Sequence, residues 1–216
     1  MSEVNILKHP EFIQAVQLIQ SDSFTEASRL LERLLEVHPT NTSIMYNLAV
    51  CHSQTGTYDV AAVLFEKVLE AEPNFAIAYI NFGKMEYLRG NHDEGLALFE
   101  GACKIEPENQ DARIARAMGY HSCGRISDAL QEFEEIVNRE DGSEVAVHFY
   151  ISCLVQLQYF SRALKTIEEL DAKGMISSEL NEVKEMCVQH LDFDQDSIKQ
   201  GEQEQEQSRV IFQHAL

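Results

Sequence analysis

The 216-residue sequence is poor in the residues that mark fibrous or low-complexity chains, with no tryptophan, 4 prolines and 10 glycines. Hydrophobic residues make up 44%, which is enough to form one large domain or two small ones with a buried core. Basic residues are also scarce, since 17 stand against 36 acidic ones and the net charge is −19. Such a surface repels nucleic-acid phosphates and anionic membranes, so we expect no nucleic-acid partner.

Membrane and export signals are missing from the sequence as well. The opening residues, MSEVNILKHPEF, lack the basic and then apolar pattern of a signal peptide. No apolar run reaches the roughly 18 residues that a membrane span requires. The 5 cysteines form no Cys-x-x-Cys pair, which is typical of reduced thiols. We therefore expect a cytoplasmic protein without a membrane span.

The sequence also lacks common catalytic motifs. The sequence contains no phosphate-binding GxxxxGK[ST] or GxGxxG, no HExxH and no GxSxG. Two short pairs could contribute metal ligands, Cys187 with His190 and His121 with Cys123, but neither has further ligands nearby in sequence. We expect no enzyme, no bound metal and no cofactor.

What the sequence does contain is a repeat with a period of 34 residues. The prolines in this register are Pro39, Pro73 and Pro107. The glycines are Gly56, Gly90 and Gly124. The small residues are Ala27, Ala61, Gly95, Ala129 and Ala163. The large apolar residues are Leu31, Phe65, Phe99, Phe133 and Ile167. Because four sets of residues recur with the same period, the chain contains an internal repeat, and this repeat determines the architecture.

Each repeat has the pattern of two helices. In the second repeat, residues 43–54 and 58–71 carry apolar residues at spacings of three and four. Gly56 separates these two segments, and Pro73 follows the second one. We expect the small residues where the two helices cross and the large apolar residue between neighbouring repeats. A single helix pair cannot bury that face, so the repeats must stack.

These features resemble the tetratricopeptide repeat (TPR) family over about four-fifths of the chain. The second repeat carries the family pattern at Met45, Leu48, Ala49, Gly56, Tyr58, Ala61, Phe65 and Pro73. The third carries it at Tyr79, Phe82, Gly83, Gly90, Gly95, Phe99, Ala102 and Pro107. The fourth keeps Ala117, Tyr120, Gly124, Ala129 and Phe133. Departures occur at Asp22 and Gln158, which replace the turn glycine, and at Asp141, which replaces proline.

The resemblance implies an all-α, right-handed superhelical solenoid of about five helix-turn-helix units and a C-terminal capping helix. The units are expected at 8–41, 42–75, 76–109, 110–143 and 144–177. A capping helix at 178–191 would cover the last unit, and an acidic, Gln-rich linker expected to be disordered would follow at 192–207. The apolar end, 208–216, is either a fraying helix or a short docking segment.

In the family, extended peptides or partner helices bind the concave surface that the first helix of each unit lines. The equivalent residues here form a predicted groove, which is rich in apolar and aromatic side chains. They are Phe12, Val16, Ile19, Tyr46, Asn47, Val50, Ile77, Ile80, Asn81, Lys84, Tyr87, Ile114, Met118, His121 and His148. Some of them could instead pack against their own helix pair or the capping helix. Asn47 and Asn81 occupy a position whose side chain often binds a peptide backbone, although an amide there can also bridge helices.

One branch of the family binds a terminal carboxylate with several Lys and Arg residues of the groove. Here the corresponding positions hold Ile77, Asp111 and Ala115, and only Lys84 is cationic. This departure argues against a carboxylate-terminated ligand. An apolar groove in an acidic protein favours an amphipathic or basic-apolar segment instead.

Three functions are compatible with this pattern. The first is a non-catalytic adaptor or scaffold that holds a partner protein segment in the groove. The second is a client-specific chaperone of the secretion type, although such proteins usually have fewer repeats. The third is a self-assembling structural protein in which residues 210–212 insert into the next copy. An enzyme without a recognisable motif is the least favoured function.

Overall fold

The computed structural model describes residues 6–139 and 143–192, and all of its regular elements are helices. A short 3-10 helix, Ile6–Lys8, precedes ten α-helices. These are α1 (Pro10–Gln20), α2 (Phe24–Val37), α3 (Thr42–Gln54), α4 (Tyr58–Ala71), α5 (Ala76–Arg89), α6 (His92–Ile105), α7 (Gln110–Ser122), α8 (Ile126–Val137), α9 (Glu144–Gln156) and α10 (Phe160–Ala172). A further helical stretch, α11, covers 178–192. The described residues contain no strand, which confirms the all-α prediction.

The chain divides into two compact units, Met1–Arg125 and Ile126–Leu216. Within the described residues, the first unit contains the 3-10 helix and α1 to α7, and the second contains α8 to α11. Asp141, the segment 193–207 of the predicted linker and the apolar end 208–216 lie outside the described residues.

The turn inside each helix pair uses the left-handed backbone region. Gly56, Gly90 and Gly124 have φ values of 78°, 87° and 73°. Asp22 and Gln158, the two departures from the repeat, adopt φ values of 56° and 61°. The turn geometry is therefore kept where glycine is replaced, although a side chain disfavours that region.

The core of the first unit contains the large apolar residues that recur along the chain. Leu31 and Phe65 have no exposed surface, and Phe99 is almost fully buried. The Phe65 ring stacks on the Phe82 ring with centroids 5.4 Å apart, which joins the second helix pair to the third. The large residue therefore fills the space between successive helix pairs.

The helices of the third pair, α5 and α6, cross at two glycines. A Cβ atom placed on Gly95 would lie 3.0 Å from the carbonyl oxygen of Gly83. One placed on Gly83 would lie 2.6 Å from Cε1 of Phe99. Even a methyl group at either glycine would force its neighbours to shift, because close-packed carbons normally lie about 3.5–4.0 Å apart.

A buried carboxylate on α5 binds the turn between α5 and α6 and, through Arg89, is linked to α4. Glu86 on α5 is almost fully buried and accepts hydrogen bonds from Arg89 Nη1 (3.0 Å) and Asn91 Nδ2 (2.6 Å). Arg89 also donates to Asp59 Oδ1 on α4 at 3.0 Å. Burial of the charge is compensated because both carboxylate oxygens have partners.

In the second unit, α11 covers the pair formed by α9 and α10. Leu180 and Val183 pack against Ile151 and Ile167 in one apolar cluster. The imidazole of His190 stacks on the Phe160 ring with centroids 4.5 Å apart. The apolar side of α11 is thus used within the second unit.

Candidate functional site

The predicted groove residues of the first unit differ in how much surface they present. Ile77 and Lys84 are exposed, while Phe12 and Ile80 are buried. Those that are half-buried are Val16, Ile19, Tyr46, Asn47, Val50, Asn81, Tyr87, Ile114, Met118 and His121. His148 lies half-buried on α9 of the second unit.

Ile80 departs from the expectation that it faces a partner. Its side chain has no exposed surface and packs with Ala102, Cys103 and Ala112. These neighbours belong to α6 and α7, so packing of the third helix pair against the next helix covers Ile80 completely. Ile80 is a core residue of the first unit.

A surface cavity of about 560 Å³ opens in the first unit, at the N-terminal part of the predicted groove. We name it the Tyr46 cavity. Its lining residues are Leu7, Phe12, Ile13, Val16, Gln17, Gln20, Ser43, Tyr46, Asn47 and Phe75. They come from the 3-10 helix, from α1 and α3, and from the residue that precedes α5. Its volume falls in the range of about 300–1,000 Å³ that is usual for ligand-binding pockets.

Most of one side of the Tyr46 cavity is a single face of α1. Ile13, Val16, Gln17 and Gln20 all line it and stand at helical spacings of three, four and seven residues. The groove prediction included only Val16 of these four. The other three lie on a stripe of α1 that contains two amides and runs beside the predicted stripe of Phe12 and Ile19.

Tyr46 of α3 also lines the cavity, and two neighbouring aromatic rings pack against its ring. The Phe65 ring meets it edge-on at a centroid distance of 6.4 Å, and the Phe75 ring lies at 5.1 Å. Phe75 was missed in the sequence because it precedes the helix that carries the predicted groove residues. Packing against two aromatic rings restricts the movement of Tyr46 in the cavity lining.

Asn81 holds the phenol group of Tyr46. Its Nδ2 donates to Tyr46 Oη at 2.6 Å, and the bond joins α5 to α3. Burial raises the pKa of the Tyr46 phenol, and this hydrogen bond offsets part of the increase. Tyr46 is therefore neutral at physiological pH. Asn81 bridges neighbouring helices, which is one of the two roles expected for it.

A second bond of the same kind occurs farther along the first unit. Ser122 Oγ on α7 donates to Tyr87 Oη on α5 at 2.9 Å. Asn47 instead donates within its own helix, from Nδ2 to the Ser43 carbonyl oxygen at 2.7 Å. The tyrosine hydroxyls thus link successive first helices, and the Asn47 side chain is held by its own helix at the rim of the Tyr46 cavity.

The Tyr46 cavity is electrically neutral in a strongly acidic protein. Among the described residues that line it there is no Asp, Glu, Lys, Arg or His, whereas the whole chain carries a net charge of −19. Lys84, the cationic residue predicted for the groove, does not line it. Such a surface suits an apolar side chain, and the exposed amides of Gln17 and Gln20 in the lining can form hydrogen bonds with the backbone that carries it.

The thiol pKa is raised in four of the five cysteines. Burial raises the pKa values of Cys51 and Cys153 to about 11, so both thiols stay protonated near neutral pH. Burial also raises the pKa of Cys187, the partner suggested for His190. Burial and the adjacent Asp93 both raise the pKa of Cys123, which is partly exposed.

In the ranges 6–139 and 143–192, no group of three or more His, Cys, Asp or Glu side chains is arranged to hold a metal ion. No described helix combines the length and apolar character needed to cross a bilayer.

Comparison with known proteins identifies the repeat. A family model described as "Tetratricopeptide repeat" matches residues 18–80 and 87–148, together more than half of the chain. A second model with the same description matches residues 54–110. No curated protein matches the chain significantly.

Solved structures share the fold at low sequence identity. PilF of Pseudomonas aeruginosa has a TM-score of 0.72 and 14% identity, over 89% of this chain and 88% of its own. MamA of Desulfovibrio magneticus RS-1 has a TM-score of 0.69 and 15% identity, over 75% of this chain and 92% of its own. TTC0263, a TPR protein of Thermus thermophilus, has a TM-score of 0.58 and 16% identity, over 82% of this chain and 97% of its own.

Proposed function

The chain belongs to the tetratricopeptide repeat family, and from that premise we propose that it is a non-catalytic adaptor that binds an apolar segment of another protein in the Tyr46 cavity. The observation that carries the proposal is the neutral, aromatic-walled lining of this cavity on a protein of net charge −19. Neutral apolar concavities on charged proteins are the usual sites of side-chain anchoring.

The chemistry of the cavity defines the partner segment. An acidic segment is disfavoured, because the surrounding protein repels it and no basic side chain lines the cavity. An apolar anchor gains from leaving water, and its backbone can hydrogen-bond with the rim amides of Gln17 and Gln20. We infer a segment with one or two large apolar residues, no acidic residues and basic flanks.

Binding of a peptide library displayed on phage tests this proposal. The expected ligands share a large apolar residue and lack Asp and Glu. The Ile13→Glu variant should bind them at least about tenfold more weakly, because it introduces an unpaired carboxylate into the apolar contact. Ile13 is 43% exposed, so this change leaves the core intact.

Val63→Glu is the matched control. Val63 is 49% exposed on α4 and does not line the Tyr46 cavity, so the variant adds the same charge elsewhere. It should bind the selected peptides as the wild type does. Equal binding by the wild type and Ile13→Glu, with both proteins equally helical by circular dichroism, would contradict the proposed site. Enrichment of acidic peptides would contradict the proposed chemistry.

A further inference from the structure

The chain itself contains a segment with the composition that the Tyr46 cavity favours. Residues 208–216 (SRVIFQHAL) hold Arg209 and no acidic residue, and their consecutive apolar residues are Val210, Ile211 and Phe212. From 210 to 216 there is no Asp, Glu, Lys or Arg. In a chain of net charge −19, this short segment is basic and apolar.

The residues between α11 and this segment have the opposite character. Residues 193–207 contain 5 acidic residues and 1 lysine. Repulsion between like charges disfavours binding of such a sequence to an acidic protein, whereas the basic-apolar sequence of 208–216 meets no such penalty. A neutral apolar cavity therefore selects 208–216 over the stretch that precedes it.

We propose that residues 208–216 of one copy of the protein bind the Tyr46 cavity of a second copy. The proposal rests on the proposed function of the cavity and names its occupant. Phe212 and Ile211 enter the space lined by Tyr46 and by Ile13 of α1, and Arg209 stays outside this apolar lining, on a protein of net charge −19. Contact with a second copy requires no particular arrangement of the two helical units within one chain.

Such a contact joins two different surfaces, so a row of copies has a free cavity at one end and a free 208–216 segment at the other. Heterologous contacts of this kind do not close on themselves unless the rotation between copies happens to form a ring. We expect assemblies whose mean mass rises with concentration. Because each copy carries a net charge of −19, added salt should strengthen association by screening the repulsion between copies.

Two single-site variants test the contact from both sides. Ile13→Glu blocks the cavity and keeps the C-terminal segment, while Phe212→Asp keeps the cavity and alters the segment. Each variant alone should sediment as a monomer of 24.6 kDa, with association weakened at least about tenfold relative to the full wild-type chain. An equimolar mixture should form a dimer and nothing larger, because only one functional contact remains.

Val63→Glu is again the control and should assemble as the wild type does. A wild-type chain that is monomeric at every concentration, single variants that still associate, or a mixture that stays monomeric would each overturn the proposal. A labelled peptide of residues 208–216 should bind the Phe212→Asp variant. If that peptide binds Phe212→Asp while the wild type is monomeric and does not bind it, the segment occupies the cavity of its own chain and the second-copy proposal is wrong.

The same variants separate this inference from the proposed function. If library peptides bind the Tyr46 cavity but the 208–216 peptide does not, only the identity of the occupant is wrong. If Ile13→Glu leaves library binding unchanged, the proposed function itself fails.

Discussion

The crossing of α5 and α6 offers a sharp test of the packing, because Gly83→Ala sets two opposing effects against each other. Alanine favours a helix interior over glycine by about 1 kcal/mol. The new methyl group would lie 2.6 Å from Cε1 and 2.8 Å from Cδ1 of Phe99, and 3.1 Å from the Gly95 carbonyl oxygen. Ordinary carbon contacts are about 3.5–4.0 Å, so the ring must move by about 1 Å.

Phe99 has little room to move, because it is 2% exposed and fills the space between helix pairs. Overpacking of this kind costs about 1–3 kcal/mol, and with contacts on two sides we expect the upper part of that range. The net free energy of unfolding should therefore fall by about 1–2 kcal/mol. Urea denaturation followed by circular dichroism measures the change.

Gly101→Ala is the control in the same pair of helices. Its methyl group would meet the Tyr79 ring at 3.0 Å, but Tyr79 is half-buried and its ring can shift toward solvent. Helix propensity and this smaller repulsion should nearly cancel, leaving a change below about 0.5 kcal/mol. If Gly83→Ala is as stable as Gly101→Ala, the close packing of the Phe99 ring on Gly83 is refuted.

Three further predictions concern the turns and the thiols. Gln158→Gly should raise the free energy of unfolding by about 1 kcal/mol, and Asp22→Gly by less, because aspartate tolerates positive φ better than glutamine; urea titration of both variants would show the order. In the native protein Cys123 should react with a thiol reagent before the buried Cys51, as single-cysteine variants would reveal, and equal rates would contradict the burial. The pKa of the Cys51 and Cys153 thiols is about 11 in the folded protein and about 9 in the unfolded chain. Their contribution to the free energy of unfolding is therefore fully present below pH 9 and is lost as the pH rises toward 11. Unfolding free energies at pH 8 and pH 10 should differ in that direction, and replacing both cysteines with alanine should reduce the difference.

The helical architecture could be predicted from the sequence because each repeat has the same packing requirement. Leu31, Phe65 and Phe99 recur every 34 residues, and all three are buried. The turn positions were equally predictable, and even Asp22 and Gln158 keep the left-handed backbone there. A periodic pattern is informative because one residue type in one register meets nearly the same surroundings in every unit.

The candidate site was only partly predictable. Val16, Tyr46 and Asn47 were expected at a binding surface and do line the Tyr46 cavity. Ile80 was expected there too, but it is buried against α6 and α7. Ile80 and Tyr46 stand at the same repeat position, so their different surroundings come from the particular side chains that neighbouring helices supply.

The sequence by itself determined the helix pairs, their turns and the residues between them, since these depend on spacing along the chain. Only the tertiary structure decided where an open cavity forms. Its walls come from three segments that are separate in sequence: the 3-10 helix with α1, then α3, then Phe75. It also decided that Asn81 holds the Tyr46 hydroxyl rather than standing alone on the surface. A cavity depends on how side chains from separate helices fill space together, and no local pattern contains that information.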